Sequence, residues 1–106
     1  MEFLNKIELK GVVGKVTKTQ IGDKSKTSFS LVTEDIYSDA QGNKIAEVTW
    51  FNCATFEDIP IEKGDKVHCL GRIRALRYVD NTGAERFSHE VITNSVTILQ
   101  KVREYR

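Results

Sequence analysis

Residues 61–87 read IEKGDKVHCLGRIRALRYVDNTGAERF, and the alternation inside this stretch decides what the rest of the chain can be. Successive side chains of a strand point to opposite faces, so Val67, Cys69, Gly71, Ile73 and Ala75 fall on one side and His68, Leu70, Arg72, Arg74, Leu76 and Tyr78 on the other. The first set is small and apolar, as a core face is. The second carries two arginines and a tyrosine and is no plain solvent face. Asp80–Ala84, DNTGA, supplies turn residues, and Phe87–Leu99 resumes as a further strand, interrupted near Asn94. Upstream, FEDIPIEKGD (Phe56–Asp65) is the one break in the β pattern, and Pro60 limits any helix there to about one turn.

Working outward, KIELKGVVGKV from Lys6 alternates Ile7, Leu9 and Val13 with charged residues, the period of a half-buried strand. Gly11 and Gly14 interrupt it where a small barrel needs a bulge or sharp bend. Gly22–Lys26 reads as a loop, and Phe29, Leu31 and Val32 open a second strand that runs towards Tyr37. Asp39–Asn43, DAQGN, is a turn, and Ile45–Thr55, rich in Val, Trp, Phe and Thr, is a third strand antiparallel to the second. Five strands with one short connector between the third and fourth predict an all-β fold, a five-stranded Greek-key barrel of the oligonucleotide-binding (OB) type. A chain of 106 residues is one domain, 1–106, with 100–106 expected as a disordered basic end.

Hydrophobic residues at 40% and charged residues at 29% exclude wholesale disorder. Cys53 and Cys69 sit inside apolar strand patterns and read as buried free thiols. Met1–Leu9 has no continuous apolar run of the secretory kind, and no stretch approaches a membrane span. The expected location is therefore the cytoplasm, in association with the nucleoid. With 16 Lys+Arg against 15 Asp+Glu the net charge is +1, so attraction to a polyanion has to come from where charges sit.

On the third strand Trp50, Asn52, Ala54 and Phe56 share one parity, and Phe51, Cys53 and Thr55 share the other. Both faces hold an aromatic, so the core cannot account for both. Taken alone, Trp50 could equally pack on a neighbouring subunit or a loop. Tyr37, Phe56 and Tyr78, at the ends of three successive strands, are expected to join it in one surface on which bases stack, each worth roughly 1–3 kcal/mol. Lys44, Arg72, Arg74, Arg77 and Arg86 are expected at exposed positions that meet phosphates, although Asp80, Glu85 and Glu90 stand near enough to neutralise them.

Catalysis finds no such support. His68 and His89 lack partners at metal-ligand spacing, and the chain has neither a Gly-rich phosphate loop nor a GxSxG elbow. Glu57 and Asp58 point in different directions and make no acid–base pair. No enzyme activity, cofactor or metal is expected.

Over nearly its whole length the chain resembles the bacterial single-stranded DNA-binding protein family. The matching pieces are NKIELKGVVG, FSLVTED, VTWFNCATF, IEKGDKVHCLGRIRALRYVDNTGAERF and HEVITNSVTIL, the fourth being the most specific in order and spacing. The resemblance implies stacking aromatics at Trp50, Phe56 and Tyr78 and, with a turn of different length between, at Tyr37. It implies basic contacts at Arg77 and Arg74, and a homo-oligomer, dimer or tetramer, around which the strand wraps. Three departures stand out. The family's helix between strands three and four shrinks to the Pro60 connector, and Glu57 and Asp58 follow Phe56 where a basic residue is usual. Phe51 replaces a His that bears on the subunit contact. The sequence ends in the basic KVREYR in place of the family's flexible linker and acidic tip, which recruit replication and repair partners, and a tail-less variant is expected. The expected function is sequence-tolerant binding of single-stranded DNA in replication, recombination or repair. The alternative is a primosomal-type assembly factor that uses the same barrel for protein contacts.

Overall fold

The backbone turns its corners where glycine lets strands approach. In the computed structural model, which describes residues 1–105, strand β1 (Ile7–Ile21) pairs through Ile7–Val12 with β4 (Lys66–Val79) and through Val12–Ile21 with β2 (Lys24–Ser38). Its register slips between Val13 and Val16, around Gly14, and this bulge bends one strand across two neighbours. At Gly11 a Cβ would collide with the carbonyl oxygen of Val32, so no other residue fits there without moving β2. Strands β3 (Lys44–Thr55) and β5 (Glu85–Gln100) complete a closed barrel in the order β1-β2-β3-β5-β4. All pairs are antiparallel except β3 with β5, which run parallel over Cys53–Thr55 and Val91–Thr93. This is the five-stranded Greek-key OB barrel that the alternation predicts.

The core is the inward parity of each strand: Leu9 and Val13, Phe29 and Leu31, Cys53, Val67 and Cys69, Val91 and Val96, with Ile61 from the connector closing one end. Phe51 is half-buried and packs against this cluster. On β5 the pairing skips Asn94 and Leu99, and the first skip lets Val91 and Val96, of opposite parity, both face inward. The interruption expected near Asn94 is therefore a bulge inside one continuous strand. Ile73 shares the parity of Val67 and Cys69 yet is exposed, because the β4–β5 hairpin rises beyond the barrel.

Two hairpins close with the same chemistry. Asp39 and Asp80 each accept backbone hydrogen bonds through Oδ1, from Gln41 and Asn43 at 2.9 Å and from Thr82 and Ala84 at 2.9 and 3.1 Å. Three residues on, Gly42 and Gly83 take the left-handed conformation, both at φ +83°. The expected loop Gly22–Lys26 is shorter than the sequence suggests, since β2 already starts at Lys24. Both arms of this β1–β2 hairpin are Lys-, Thr- and Ser-rich because they face water on both sides, which hides their strand character.

The connector Phe56–Asp65 contains no helix. It is held by the fully buried Asp65, whose carboxylate accepts from the Glu62 and Val102 N–H groups at 2.8 Å and from Lys101 Nζ at 2.6 Å. Burial pushes this carboxyl up, but the Lys101 ammonium and the two N–H groups outweigh it and hold the group below the usual carboxylate range. Residues 100–106 were expected to be loose. Instead Gln100 ends β5, a 3-10 turn at Val102–Glu104 follows, and the Tyr105 hydroxyl donates to the Gly64 carbonyl. Arg106 lies outside the described residues.

Candidate nucleic-acid interface

Strand register determines which side chains share a surface. β2 and β3 pair without a slip from Thr27–Thr55 to Ser38–Lys44, which sets Trp50 beside Val32, Asn52 beside Ser30 and Ala54 beside Ser28 on the outer face. Ala54 pairs with Ile92 of β5, and alternate residues back along β5 lie opposite β4: Ile92 by Arg72, Glu90 by Arg74, Ser88 by Leu76, Arg86 by Tyr78. Trp50 and Tyr78 therefore look out from one continuous face, 59% and 51% exposed. Between them runs a cleft lined by Lys15, Ser28, Ser30, Asn52, Leu76, Ser88 and Glu90.

The indole of Trp50 is seated by the bulge. A Cβ on Gly14 would stand 2.7 Å from Trp50 Cζ3, so only the bare glycine backbone leaves room for the ring. Ser30 Oγ beside it accepts the Lys15 N–H at 2.8 Å, which fixes the far side of the bulge.

Three residues expected on this surface lie elsewhere. Tyr37 pairs with Ile45 and has the parity of Leu31, so it occupies the reverse face of the β2–β3 ribbon; Ile36, 64% exposed, takes the place on the Trp50 side. Arg77 pairs with Phe87 and lies on the reverse of the β4–β5 hairpin from Tyr78. Phe56 follows the end of β3 and stands by Asp23, Lys24, Ser25 and Asp58 near the β1–β2 turn, six residues or about 20 Å along the chain from Trp50. Lys44 keeps the parity of Trp50 at the ribbon tip.

Most of the arginines are already paired. Arg74 Nη2 lies 2.8 Å from Glu90 Oε1, Lys26 Nζ lies 3.5 Å from Glu90 Oε2, and Arg86 Nε lies 2.8 Å from Asp80 Oδ2. Arg77 pairs with Glu85. Hydrogen bonds from the Thr82 hydroxyl and from Arg86 hold the Asp80 carboxyl at about 2. Among the described residues, Arg72, Lys44 and Lys15 have no acidic partner at ion-pair distance. Sequence reading missed Lys15 and Lys26 because they sit in segments with no aromatic beside them, and it gave Asn52 a face but no role because a neutral amide carries no charge signal. The Gly14 interruption was the one signal that this part of β1 bends over β3. Among the described residues no cluster of His, Cys, Asp or Glu could hold a metal ion, and no helix is long and apolar enough to cross a membrane.

A closed OB barrel with aromatics and cations along one outer face places the molecule in the class of small β-barrel modules. The family model for the single-strand binding protein family matches residues 4–99, and the chain belongs to that family. The single-stranded DNA-binding protein of Bacteroides thetaiotaomicron is 33% identical over 106 residues, covering 91% of this chain and 66% of that protein. A counterpart from Xanthomonas campestris pv. campestris is 26% identical over 104 residues, covering 91% and 60%. The chain thus spans about three fifths to two thirds of the length of these relatives. Among solved structures, the Plasmodium falciparum SSB in complex with single-stranded DNA superposes with a TM-score of 0.86 at 21% identity, covering 94% of this chain and 98% of that one. The small single-stranded DNA-binding protein from Streptomyces coelicolor gives 0.69 at 17% identity, covering 92% and 95%. At these identities the likeness is one of fold.

Proposed function

We propose that this chain binds single-stranded DNA with little regard to sequence, by base stacking and phosphate neutralisation, and so protects exposed strands in replication, recombination or repair. One observation carries the reading: register puts Trp50 and Tyr78 on one outer face with a lysine-containing cleft between them. Trp50 and Tyr78 stack bases, and Arg72, Arg74, Arg86 and Lys44 meet phosphates. Phe56 serves the far end of the track, and Tyr37 and Arg77 serve a strand that passes round the hairpin edges. The module works without catalysis, as a homo-oligomer, dimer or tetramer, in the cytoplasm at the nucleoid and beside replication proteins. Family membership and the named relatives support this reading over an assembly factor that uses the barrel for protein contacts. A mass measurement in solution with and without oligo-dT tests it, since it reports subunit number and strand binding together. A mass unchanged by oligo-dT at micromolar protein overturns it.

A further inference from the structure

Glu90 is the one acid in the floor of the cleft, and it holds two cations from two different strands. Its side chain is 11% exposed. Oε1 accepts from Arg74 Nη2 at 2.8 Å and Nε at 3.2 Å, and Oε2 faces Lys26 Nζ at 3.5 Å. The register sets Arg74 directly opposite Glu90, while Lys26, paired with Thr19 of β1, reaches in from β2. A guanidinium fork and an ammonium converging on two oxygens is also how a phosphate is gripped, since carboxylate and phosphate offer the same paired acceptors. Neutral groups that suit a phosphodiester, Ser28, Ser30 and Asn52, line the same cleft.

We propose that Glu90 occupies, between Lys26 and Arg74, the position a strand phosphate takes on binding, so that single-stranded DNA exchanges a carboxylate for a phosphate. The inference rests on the DNA-binding reading above and adds a determinant to it. In the free protein these two cations are neutralised by a fixed acid, so a phosphate that arrives there sheds its own condensed salt ions but must displace a carboxylate, which lowers affinity without lowering the salt slope. A lone phosphate has nothing with which to displace Glu90. A strand whose bases stack on Trp50 and Tyr78 does, and the acid thereby selects chains over small anions.

The test is a salt titration of oligo-dT binding by the full chain, read by Trp50 emission from about 50 to 300 mM salt. Glu90→Gln keeps the shape and removes the charge; it should bind about tenfold more tightly at the low-salt end. Its log–log salt slope should stay close to the wild-type value, because the same phosphates are neutralised in both complexes. Weaker or equal binding overturns the exchange and leaves Glu90 a scaffold for Arg74, while wild-type binding still upholds the parent reading. Wild-type chain that does not bind overturns both. A second comparison does not depend on the fold of Glu90→Gln. Lys15, in the same cleft without an acid partner, should lose about 0.7 of slope on Lys15→Met, and Lys26→Met should lose as much, because in the bound state it too neutralises a phosphate. A clearly smaller loss for Lys26→Met, as expected of a lysine that stays on Glu90, contradicts the exchange.

Discussion

The Trp50 indole closes on the backbone of Gly14 so tightly that a Cβ there would lie 2.7 Å from Cζ3 and 3.3 Å from Cη2. The bulge that lets β1 serve two neighbours thus also seats the aromatic on which the proposed function depends. Gly14→Ala should push the ring off its seat. The expected outcome is a shifted emission of this single tryptophan, a stability loss of about 1–2 kcal/mol in denaturant melts, and weakened oligo-dT binding.

Stacking and charge should separate in their size. Trp50→Ala and Tyr78→Ala each remove a stacking platform and should lower oligo-dT affinity by about 1–3 kcal/mol. Arg77→Gln and Arg86→Gln remove cations that Glu85 and Asp80 already pair, and should cost less than either aromatic. An arginine substitution that outweighs Trp50→Ala would reverse this ranking.

Much of this was legible in the chain and some was not, for identifiable reasons. The alternation of Leu9 and Val13, of Phe29 and Leu31, and of Val67 and Cys69 is a local signal, and it marks strands whose one face is buried. DAQGN and DNTGA carry their own turn chemistry, so both hairpin tips were readable. The arms of the β1–β2 hairpin were not, because both of their faces meet water. Tyr37 was misplaced by reading strand ends when an unbroken count from Leu31 already gives its parity. The pairing of Arg74 with Glu90 and Lys26 depends on three strands closing into one barrel, which no local pattern encodes. Docking of Lys101 on Asp65 is non-local in the same way.

Asp65 gives the fold an acid-sensitive joint. Its folded pKa is depressed, so the stability it contributes is fully present above the ordinary carboxylate value near about 4 and is lost as pH falls through the lower folded value. Wild-type melting temperature should drop on acidification through that window. Asp65→Asn should cost about 3 kcal/mol near neutral pH, because it leaves buried hydrogen-bond partners poorly matched, and it should flatten the acid limb of the profile.

The two cysteines should be inert in the native protein. Burial pushes Cys53 up to about 12, with Cys69 and Glu90 adding to it, and burial pushes Cys69 up to about 11. At about pH 8 a thiol reagent should label neither in native buffer and both in denaturant. Rapid native labelling of Cys53 would show that the β3–β5 seam opens.

The central claim is that Trp50 and Tyr78 form one stacking track over a lysine-containing cleft, and titration of the wild-type chain with oligo-dT across a range of salt tests it most directly. Emission from the lone tryptophan should be quenched on binding, and log affinity should fall linearly with log salt at about 0.7 per neutralised phosphate. Emission unmoved by oligonucleotide, or affinity indifferent to salt, would contradict it.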